Sequence, residues 1–274
     1  MLTLGVHLEI EMESQWPTSI VMMVQPQSGD GQVILTNELI IVPQTATREY
    51  IDLQGNRCLR LSLPAGRIRI ESRIVASVPA SFDIDPTAAF HPMEDLPDQV
   101  LPFVLPSRYC ESDALEEMAQ DISGAATPGY AQVELIRDWI NKTFIYEYGA
   151  SDSHTSAKDA LRSRKGVCRD FAHVGIALTR GLNIPARMVV GYLDGLEPMD
   201  MHAWYEAFVG GRWYTFDATQ REPKGGRIIV ATGRDAADVA IATYFSEIKM
   251  HRLHVRMQRL PEIPGGPGTG QPSA

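Results

Sequence analysis

The sequence predicts an α+β fold, in which an N-terminal antiparallel β-sandwich-like domain precedes helices packed on a second antiparallel sheet. Three observations lead to this prediction. Residues 1–80 hold short β-rich runs separated by Gly, Pro, Asn and Asp, residues 112–181 hold segments with helical spacing, and residues 186–219 return to strands around Gly210-Gly211. A chain of 274 residues, 44% of them hydrophobic, can bury a substantial core.

The first part of the chain is predicted to form a small antiparallel sandwich, because several short strands follow one another at close spacing. Hairpin turns are expected at residues 53–57 and 63–66. Cys58 and His7 lie on expected strands, and we interpret both as structural residues. The strands are expected within residues 3–12, 19–26, 32–42, 49–63 and 66–78.

A proline-rich stretch at residues 79–106 interrupts any regular pattern, and we place the domain boundary there. The predicted units are a β domain with its proline-rich linker at residues 1–95, and a core that carries the candidate site at residues 96–260. Residues 261–274 are rich in Pro, Gly and Ser, so this tail is expected to be disordered.

Three helix starts are predicted in the core. Asp113 followed by Glu116 has the pattern of a capping box. Thr127-Pro128 is typical of an N-cap residue and the first helical position. Ser156 with Asp159 begins a third, short helix.

The stretch around Cys168 is predicted to deliver a cysteine to the first turn of a buried helix. Gly181 followed by Pro185 indicates where this helix ends. A helix N-terminus presents free N–H groups and the positive end of the helix dipole, so a lowered thiol pKa is expected there, with Arg169 as a possible contributor. Cys168 is therefore the candidate nucleophile. The apolar positions at helical spacing are Val167, Phe171, Val174 and Leu178.

A nucleophilic cysteine needs a base, and that base usually needs a third group to orient it. The predicted hairpin supplies both. With Gly210-Gly211 as a two-residue turn, the register places His202 opposite Thr219. Asp217 then lies diagonal to His202 on the same face of the sheet, whereas a one-residue bulge would separate the two faces. We therefore predict that Asp217 steadies His202 and that His202 activates Cys168.

The second half of the chain holds four distinctive blocks: GVCRDFAH at 166–173, NIPAR at 183–187, HAWYE at 202–206 and WYTFDAT at 213–219. These blocks resemble the core blocks of the transglutaminase-like superfamily. More narrowly, the chain resembles the bacterial transglutaminase-like cysteine peptidases with an N-terminal β domain, which a later block, GRDAADV at residues 233–239, also matches. The resemblance covers about residues 1–245, with the N-terminal part matched by pattern, and it departs at Ala218, where the family more often has Pro.

This resemblance implies a papain-like, transglutaminase-like core with Cys168 as nucleophile, His202 as general base and acid, and Asp217 as orienting acid. The implied chemistry is acyl transfer on a protein or peptide substrate: the thiolate attacks a peptide or glutamine carbonyl, and water or an amine acceptor resolves the thioester. The backbone N–H of Cys168 is one expected oxyanion donor. Tyr146 and Trp204 are further candidates for oxyanion or substrate contacts, with core packing as the alternative for each.

Two alternatives to this reading stay open. One is a metal site, although no pair of conceivable ligands has the close spacing of a known site, and His251 and His254 point to opposite faces of a predicted strand. The other is a non-catalytic scaffold or binding module that keeps the fold. The conceivable metal ligands are Cys168, His173, Asp152 and His154.

Composition narrows the class of protein. A formal net charge of −9 argues against a nucleic-acid surface, which needs a basic footprint. We expect no signal peptide or membrane anchor, because the first residues lack a basic region and no apolar run has the length of a membrane span.

The three cysteines show no C-x-x-C pairing, so a cytoplasmic location is predicted. The sequence holds no phosphate-binding or calcium loop, and we infer no cofactor. Oligomeric state is not readable from it.

Overall fold

The computed structural model describes residues 1–29, 31–222 and 224–261, and it confirms the predicted α+β fold. The chain begins with β1 (Leu2–Ser14), β2 (Thr18–Met22), β3 (Val33–Val42), β4 (Thr47–Ile51), β5 (Arg57–Leu63) and β6 (Gly66–Val78). The middle contains α1 (Glu116–Ser123), α2 (Tyr130–Thr143), β7 (Ile145–Tyr146), α3 (Ala157–Ser163), β8 (Lys165–Gly166) and α4 (Cys168–Gly181). The last strands are β9 (Ala186–Leu193), β10 (His202–Val209), β11 (Arg212–Phe216), β12 (Arg227–Gly233), β13 (Ala242–Tyr244) and β14 (Lys249–Leu260).

Two antiparallel sheets form the N-terminal part, with strand orders β14-β1-β6-β3 and β13-β2-β5-β4. On β1, β5 and β6 buried residues largely alternate with more exposed ones, so each sheet has one face that can be buried. Both faces join one continuous hydrophobic cluster with the rest of the molecule. On β1 the buried residues of this face are Leu4, Val6, Leu8, Ile10 and Met12.

The end of the described chain returns to the N-terminal sheets. β14 pairs with β1 along almost its whole length, from Thr3 opposite Leu260 to Glu13 opposite Lys249. β13 pairs with β2 in the second sheet. Residues assigned by sequence to the 96–260 unit therefore complete sheets of the 1–95 unit, and the boundary near residue 95 stays a prediction. Of the predicted tail, residues 262–274 lie outside the described residues.

The second part of the chain packs helices on a four-stranded antiparallel sheet of order β11-β10-β9-β12. Helix α4 lies directly on β10, and Gly175 makes this approach possible. A Cβ atom at Gly175 would lie 2.4 Å from the ring of Tyr205 on β10, which no larger residue could accept. Among the described residues, no helix has the length and apolar character needed to cross a membrane.

Two of the three predicted helix starts are wrong. α1 begins at Glu116 after Leu115, and the Asp113 capping box does not form because residues 112–114 make a separate 3-10 turn. α2 begins at Tyr130 after Gly129 rather than at Thr127-Pro128. Backbone bonds from Phe90 to the Pro128 carbonyl and from Tyr130 to the Ala88 carbonyl draw this segment against the linker. The third start is confirmed, because the Ser156 hydroxyl accepts the N–H of Asp159.

The outer edge of β12 is covered by two side-chain amides from the N-terminal part. The Gln32 amide donates to the carbonyl of Ile229 and accepts its N–H, both at 2.8 Å. The Asn56 amide makes the same pair of bonds with Thr232, again at 2.8 Å. Both amides are buried. Each amide bonds to one residue of β12 as a neighbouring strand would. The two amides thus join the N-terminal part of the molecule to an edge of β12 that would otherwise be unpaired.

We expect Gln32→Ala and Asn56→Ala each to lower the free energy of unfolding by about 2 kcal/mol, because a buried backbone N–H and C=O lose their partners. Urea unfolding followed by circular dichroism measures the change. Gln54→Ala, at an exposed turn, is the matched control and should stay within about 0.5 kcal/mol of the wild type. Equal effects at the three positions would show that the amides do not support β12.

Candidate active site

Cys168 is the first residue of α4, as the sequence predicts, and Val167 before it is extended. The carboxylate of Asp170 accepts the N–H of Val167 at 2.8 Å, which closes the first turn of the helix. A Cβ atom at Gly166 would lie 2.6 Å from the Asp170 side chain. The glycine and the aspartate of this block are therefore required together to present the cysteine at the helix start.

Asp170 also organises the loop beside the helix start. It forms an ion pair with Arg169 at 2.9 Å and accepts the Ser151 hydroxyl. Arg169 donates in addition to the backbone carbonyl of Asp152. The expected help from Arg169 to the Cys168 thiolate is thus largely offset by the neighbouring carboxylate. These contacts favour the interpretation that Asp170 stabilises the helix start and loop rather than transferring protons.

The hairpin register is as predicted. Val209 pairs with Arg212 across the turn at Gly210-Gly211, and the ladder runs without a bulge to Tyr205 opposite Phe216. Both turn glycines have positive φ, of 58° and 82°, which glycine adopts readily. The consequence is that His202 and Asp217 meet: His202 Nε2 lies 2.8 Å from Asp217 Oδ2, and both side chains are 2% exposed.

The carboxylate of Asp217 is fully engaged by hydrogen bonds. Oδ2 accepts from His202 and, at 3.0 Å, from Arg227 Nη1. Oδ1 accepts the N–H of Thr219 at 3.1 Å and its hydroxyl at 2.7 Å. Burial alone would raise the pKa of Asp217, but the charges of His202 and Arg227 and these bonds hold that pKa well below its usual range. Asp217 is therefore a stable anion inside the protein.

His202 bonds to Asp217 and has Cys168 as a further neighbour. Its burial alone would lower the imidazole pKa, but the charge and hydrogen bond of Asp217, with a further contribution from Cys168, raise the pKa of His202 to about 9. Because Nε2 is bonded to Asp217, Nδ1 is the nitrogen that stays available to the thiol. At neutral pH the ring is an imidazolium next to a cysteine, which is the arrangement that favours a thiolate–imidazolium pair.

Tyr146 lies beside the nucleophile. Its ring packs against Phe171 of α4 at 5.8 Å and against Tyr148 at 5.5 Å. Burial and the nearness of Cys168 and Tyr148 raise the pKa of the Tyr146 hydroxyl, while the backbone N–H of Cys168 acts in the opposite direction. This hydroxyl therefore shares its surroundings with the expected oxyanion donor of Cys168, although its role in catalysis stays a prediction.

Trp204 packs behind His202 instead of facing open solvent. It is 1% exposed, and its ring stacks on the His202 imidazole with 6.0 Å between ring centroids. The guanidinium of Arg227 lies 4.9 Å from the Trp204 centroid on the same side of the sheet. This position accords with the packing alternative, and a direct contact between Trp204 and substrate stays a prediction.

The other titratable candidates lie away from this cluster. His173 is completely buried, stacks on Tyr109 and accepts the N–H of Ala236, so it is a packing residue of α4. Burial lowers the pKa of His173 to about 4, and burial raises the thiol pKa of Cys58 and Cys110. Within the described ranges, no three His, Cys, Asp or Glu residues group in a way that could hold a metal ion. A mechanism without a cofactor remains a prediction.

Two residues of the cluster were not identified as functional from sequence. Thr219 was placed opposite His202 by the register, and in the structure its hydroxyl lies 3.5 Å from His202 Nε2. That placement was a usable signal, since a hydroxyl at this position can reach the Asp217 carboxylate. Arg227 gave no such signal, because it belongs to β12, whose position relative to the hairpin depends on long-range pairing with β9.

Comparison with known proteins identifies relatives of the chain. Residues 116–218, which include Cys168, His202 and Asp217, match the model of the Transglutaminase-like superfamily. The crystal structure of a "putative cysteine protease" from Cytophaga hutchinsonii is 36% identical, with a TM-score of 0.90 over 96% of this chain and 92% of that chain. Uncharacterized protein ML0607 from Mycobacterium leprae is 29% identical over 232 residues, covering 78% of this chain and 81% of that protein. Uncharacterized protein Rv2569c from Mycobacterium tuberculosis is 33% identical over 146 residues, covering 47% and 46%.

The raised pKa of His202 predicts a pH-dependent stability. The folded protein binds this proton more tightly than the unfolded chain, so the stabilisation is complete below pH 6.5 and is lost as pH rises towards 9. We expect the free energy of unfolding to fall by about 3 kcal/mol over this window. Urea titrations at several pH values measure this fall in the free energy of unfolding. In the His202→Gln protein the fall should be absent.

His154→Gln is the matched control for this experiment, because His154 is an exposed histidine outside the cluster. It should lose stability with pH as the wild type does. A His202→Gln protein that still shows the full loss would contradict the assignment of the titration to His202.

Proposed function

Because the chain belongs to the transglutaminase-like superfamily and is homologous to the Cytophaga hutchinsonii protein, we propose that it is an enzyme of cysteine-dependent acyl transfer on peptide or glutamine carboxamide bonds. Cys168 is the proposed nucleophile, His202 the general base and acid, and Asp217 the orienting acid. The observation that carries this proposal is the buried His202–Asp217 ion pair, which has a cysteine at the first position of α4 among the neighbours that raise the pKa of His202.

The proposed reaction forms and breaks a thioester. The Cys168 thiolate attacks the substrate carbonyl carbon, and the negative charge that develops on the carbonyl oxygen is stabilised by the Cys168 backbone N–H and the Tyr146 hydroxyl. The tetrahedral intermediate collapses as His202 donates its proton to the departing amine. Neutral His202 then removes a proton from water or an acceptor amine, which attacks the thioester and regenerates the thiolate.

The charges of the cluster support this cycle at neutral pH. Asp217 is a stable anion, and the pKa of His202 is raised to about 9. The resting enzyme thus already holds the proton that the leaving amine needs. After that proton has left, the neutral imidazole is a strong base for the second half of the reaction.

The substrate we propose is a protein or peptide, with an amine acceptor where the reaction is transamidation. We retain the cytoplasm as the proposed location, because a reactive free thiol persists best in a reducing compartment. The competing proposal is a non-catalytic scaffold that keeps the superfamily fold. Reactivity of Cys168 separates the two, because a scaffold has no need for a paired and activated thiol.

We expect iodoacetamide to modify Cys168 at pH 6 at least tenfold faster in the wild type than in His202→Ala, because the imidazolium favours the thiolate. Mass spectrometry of the modified site gives the rate. Cys58 and Cys110 are buried and serve as internal controls, since they should stay unmodified while the fold is intact. Equal rates in the two proteins would favour the scaffold.

We expect Cys168→Ala to abolish turnover of glutamine-containing peptides, with a loss of at least ~10³-fold, while the circular dichroism spectrum stays unchanged. Product is measured by mass spectrometry with and without a primary amine, which separates hydrolysis from transamidation. His154→Ala, an exposed substitution outside the cluster, should keep wild-type activity. Turnover by the Cys168→Ala protein would contradict the proposed mechanism.

A further inference from the structure

We propose that Arg227 is a positioning residue for this reaction: it keeps the Asp217 carboxylate charged and directed at His202, without contacting substrate itself. The inference rests on the proposed function, because it assigns a role to Arg227 through Asp217. It adds to the three proposed catalytic residues a fourth group, on a strand that follows them in the chain.

The first support is the geometry of the buried ion pair. Arg227 Nη1 donates to Asp217 Oδ2 at 3.0 Å, and the same oxygen accepts from His202 at 2.8 Å. The two side chains of the pair are only 7% and 2% exposed. One carboxylate oxygen thus lies between two cationic groups, so a change in its position or charge is felt directly by the imidazole.

The second support is the way in which the guanidinium is fixed. Its Nε donates to the backbone carbonyl of Lys224 at 3.2 Å. Its Cζ lies 4.9 Å from the ring centroid of Trp204 and 5.5 Å from that of Phe82. A planar guanidinium can stack between such rings while its edge bonds to a carboxylate, and a lysine ammonium cannot. Arg227 is therefore pre-organised to orient the Asp217 carboxylate.

The third support is electrostatic. Burial of Asp217 favours its neutral form, and His202 alone would have to oppose that tendency. Arg227 supplies a permanent second positive charge, which keeps Asp217 ionised whichever protonation state His202 has during the cycle. The same charge repels the imidazolium and limits how tightly His202 binds its proton. The charged or titratable groups that face His202 are Asp217, Cys168, Arg227 and, from the loop before β10, Asp200.

The test measures the pH dependence of Cys168 modification by iodoacetamide, which needs no substrate. Plotted against pH, the modification rate of the wild type should show a step near pH 9, where His202 loses its proton. In Arg227→Gln this step should move up by about one pH unit, because a nearby positive charge is lost. Arg227→Lys, which keeps the charge, should place the step within a few tenths of a unit of the wild type.

Arg187→Gln is the matched control. Arg187 is a partly buried arginine on the same sheet, it forms an ion pair with Glu206 at 2.7 Å, and its Cζ lies 4.4 Å from the Trp213 centroid. It does not bond to Asp217, so its loss should leave the step in place. A merely structural role for Arg227 would lower the fraction of folded protein without moving the step.

The outcomes separate the inference from the proposed function. Absence of the step in the wild type, or its persistence in His202→Ala, would overturn both. If His202→Ala removes the step but Arg227→Gln leaves it in place, the role of Arg227 alone is overturned. The same holds if Arg187→Gln or Arg227→Lys moves the step as far as Arg227→Gln does.

If Arg227→Gln does not fold, the double variant Arg227→Gln/Asp217→Asn, which buries no unpaired charge, is compared with Asp217→Asn. The double variant should then be modified at pH 6 at least as fast as Asp217→Asn, because both proteins lack the carboxylate that Arg227 orients and the remaining effect of Arg227 on His202 is repulsion. A much slower double variant would overturn the inference.

Discussion

The buried charge of Asp217 is the constraint on which the rest of the site depends. A carboxylate removed from water costs several kcal/mol unless paired and hydrogen-bonded. The chain meets this requirement with groups from three segments: His202 on β10, Arg227 on β12, and Thr219 just after β11. These segments meet because β9 pairs with both β10 and β12. The buried charge of Asp217 therefore depends on this strand order.

The nucleophile depends on a different and more local constraint. Its position follows from a glycine without room for a side chain, an aspartate that closes the first helical turn, and a second glycine that lets α4 approach β10. These features come from residues close together in sequence. The helix start and the sheet are thus built by independent rules, and the packing of α4 on β10 and β9, with Gly175 against Tyr205, fixes their relative position.

This difference explains how much could be predicted from the sequence. The register of the hairpin and the helix at Cys168 follow from glycines and short-range periodicity, so the meeting of His202 with Asp217 was predictable. The start of α2 was not, because Gly129 is bridged to Ala89 of the distant linker and has a φ of 118°. Arg227 was missed for the same kind of reason, since only the folded sheet, in which β9 pairs with both β10 and β12, brings Arg227 to Asp217. Long-range pairing decided both of these failures, whereas the start of α1 differs because residues 112–114 form a separate 3-10 turn.

The pairing of β14 with β1 has a consequence for synthesis on the ribosome. β1 precedes the other described strands in the chain, yet one of its two neighbours is made about 250 residues later, which at roughly 5–20 residues per second is a delay of tens of seconds. Through this interval the nascent sheet has an open edge on a central strand, the kind of surface that chaperones cover. The first sheet can therefore reach its final strand order only after nearly all of the described residues have been made.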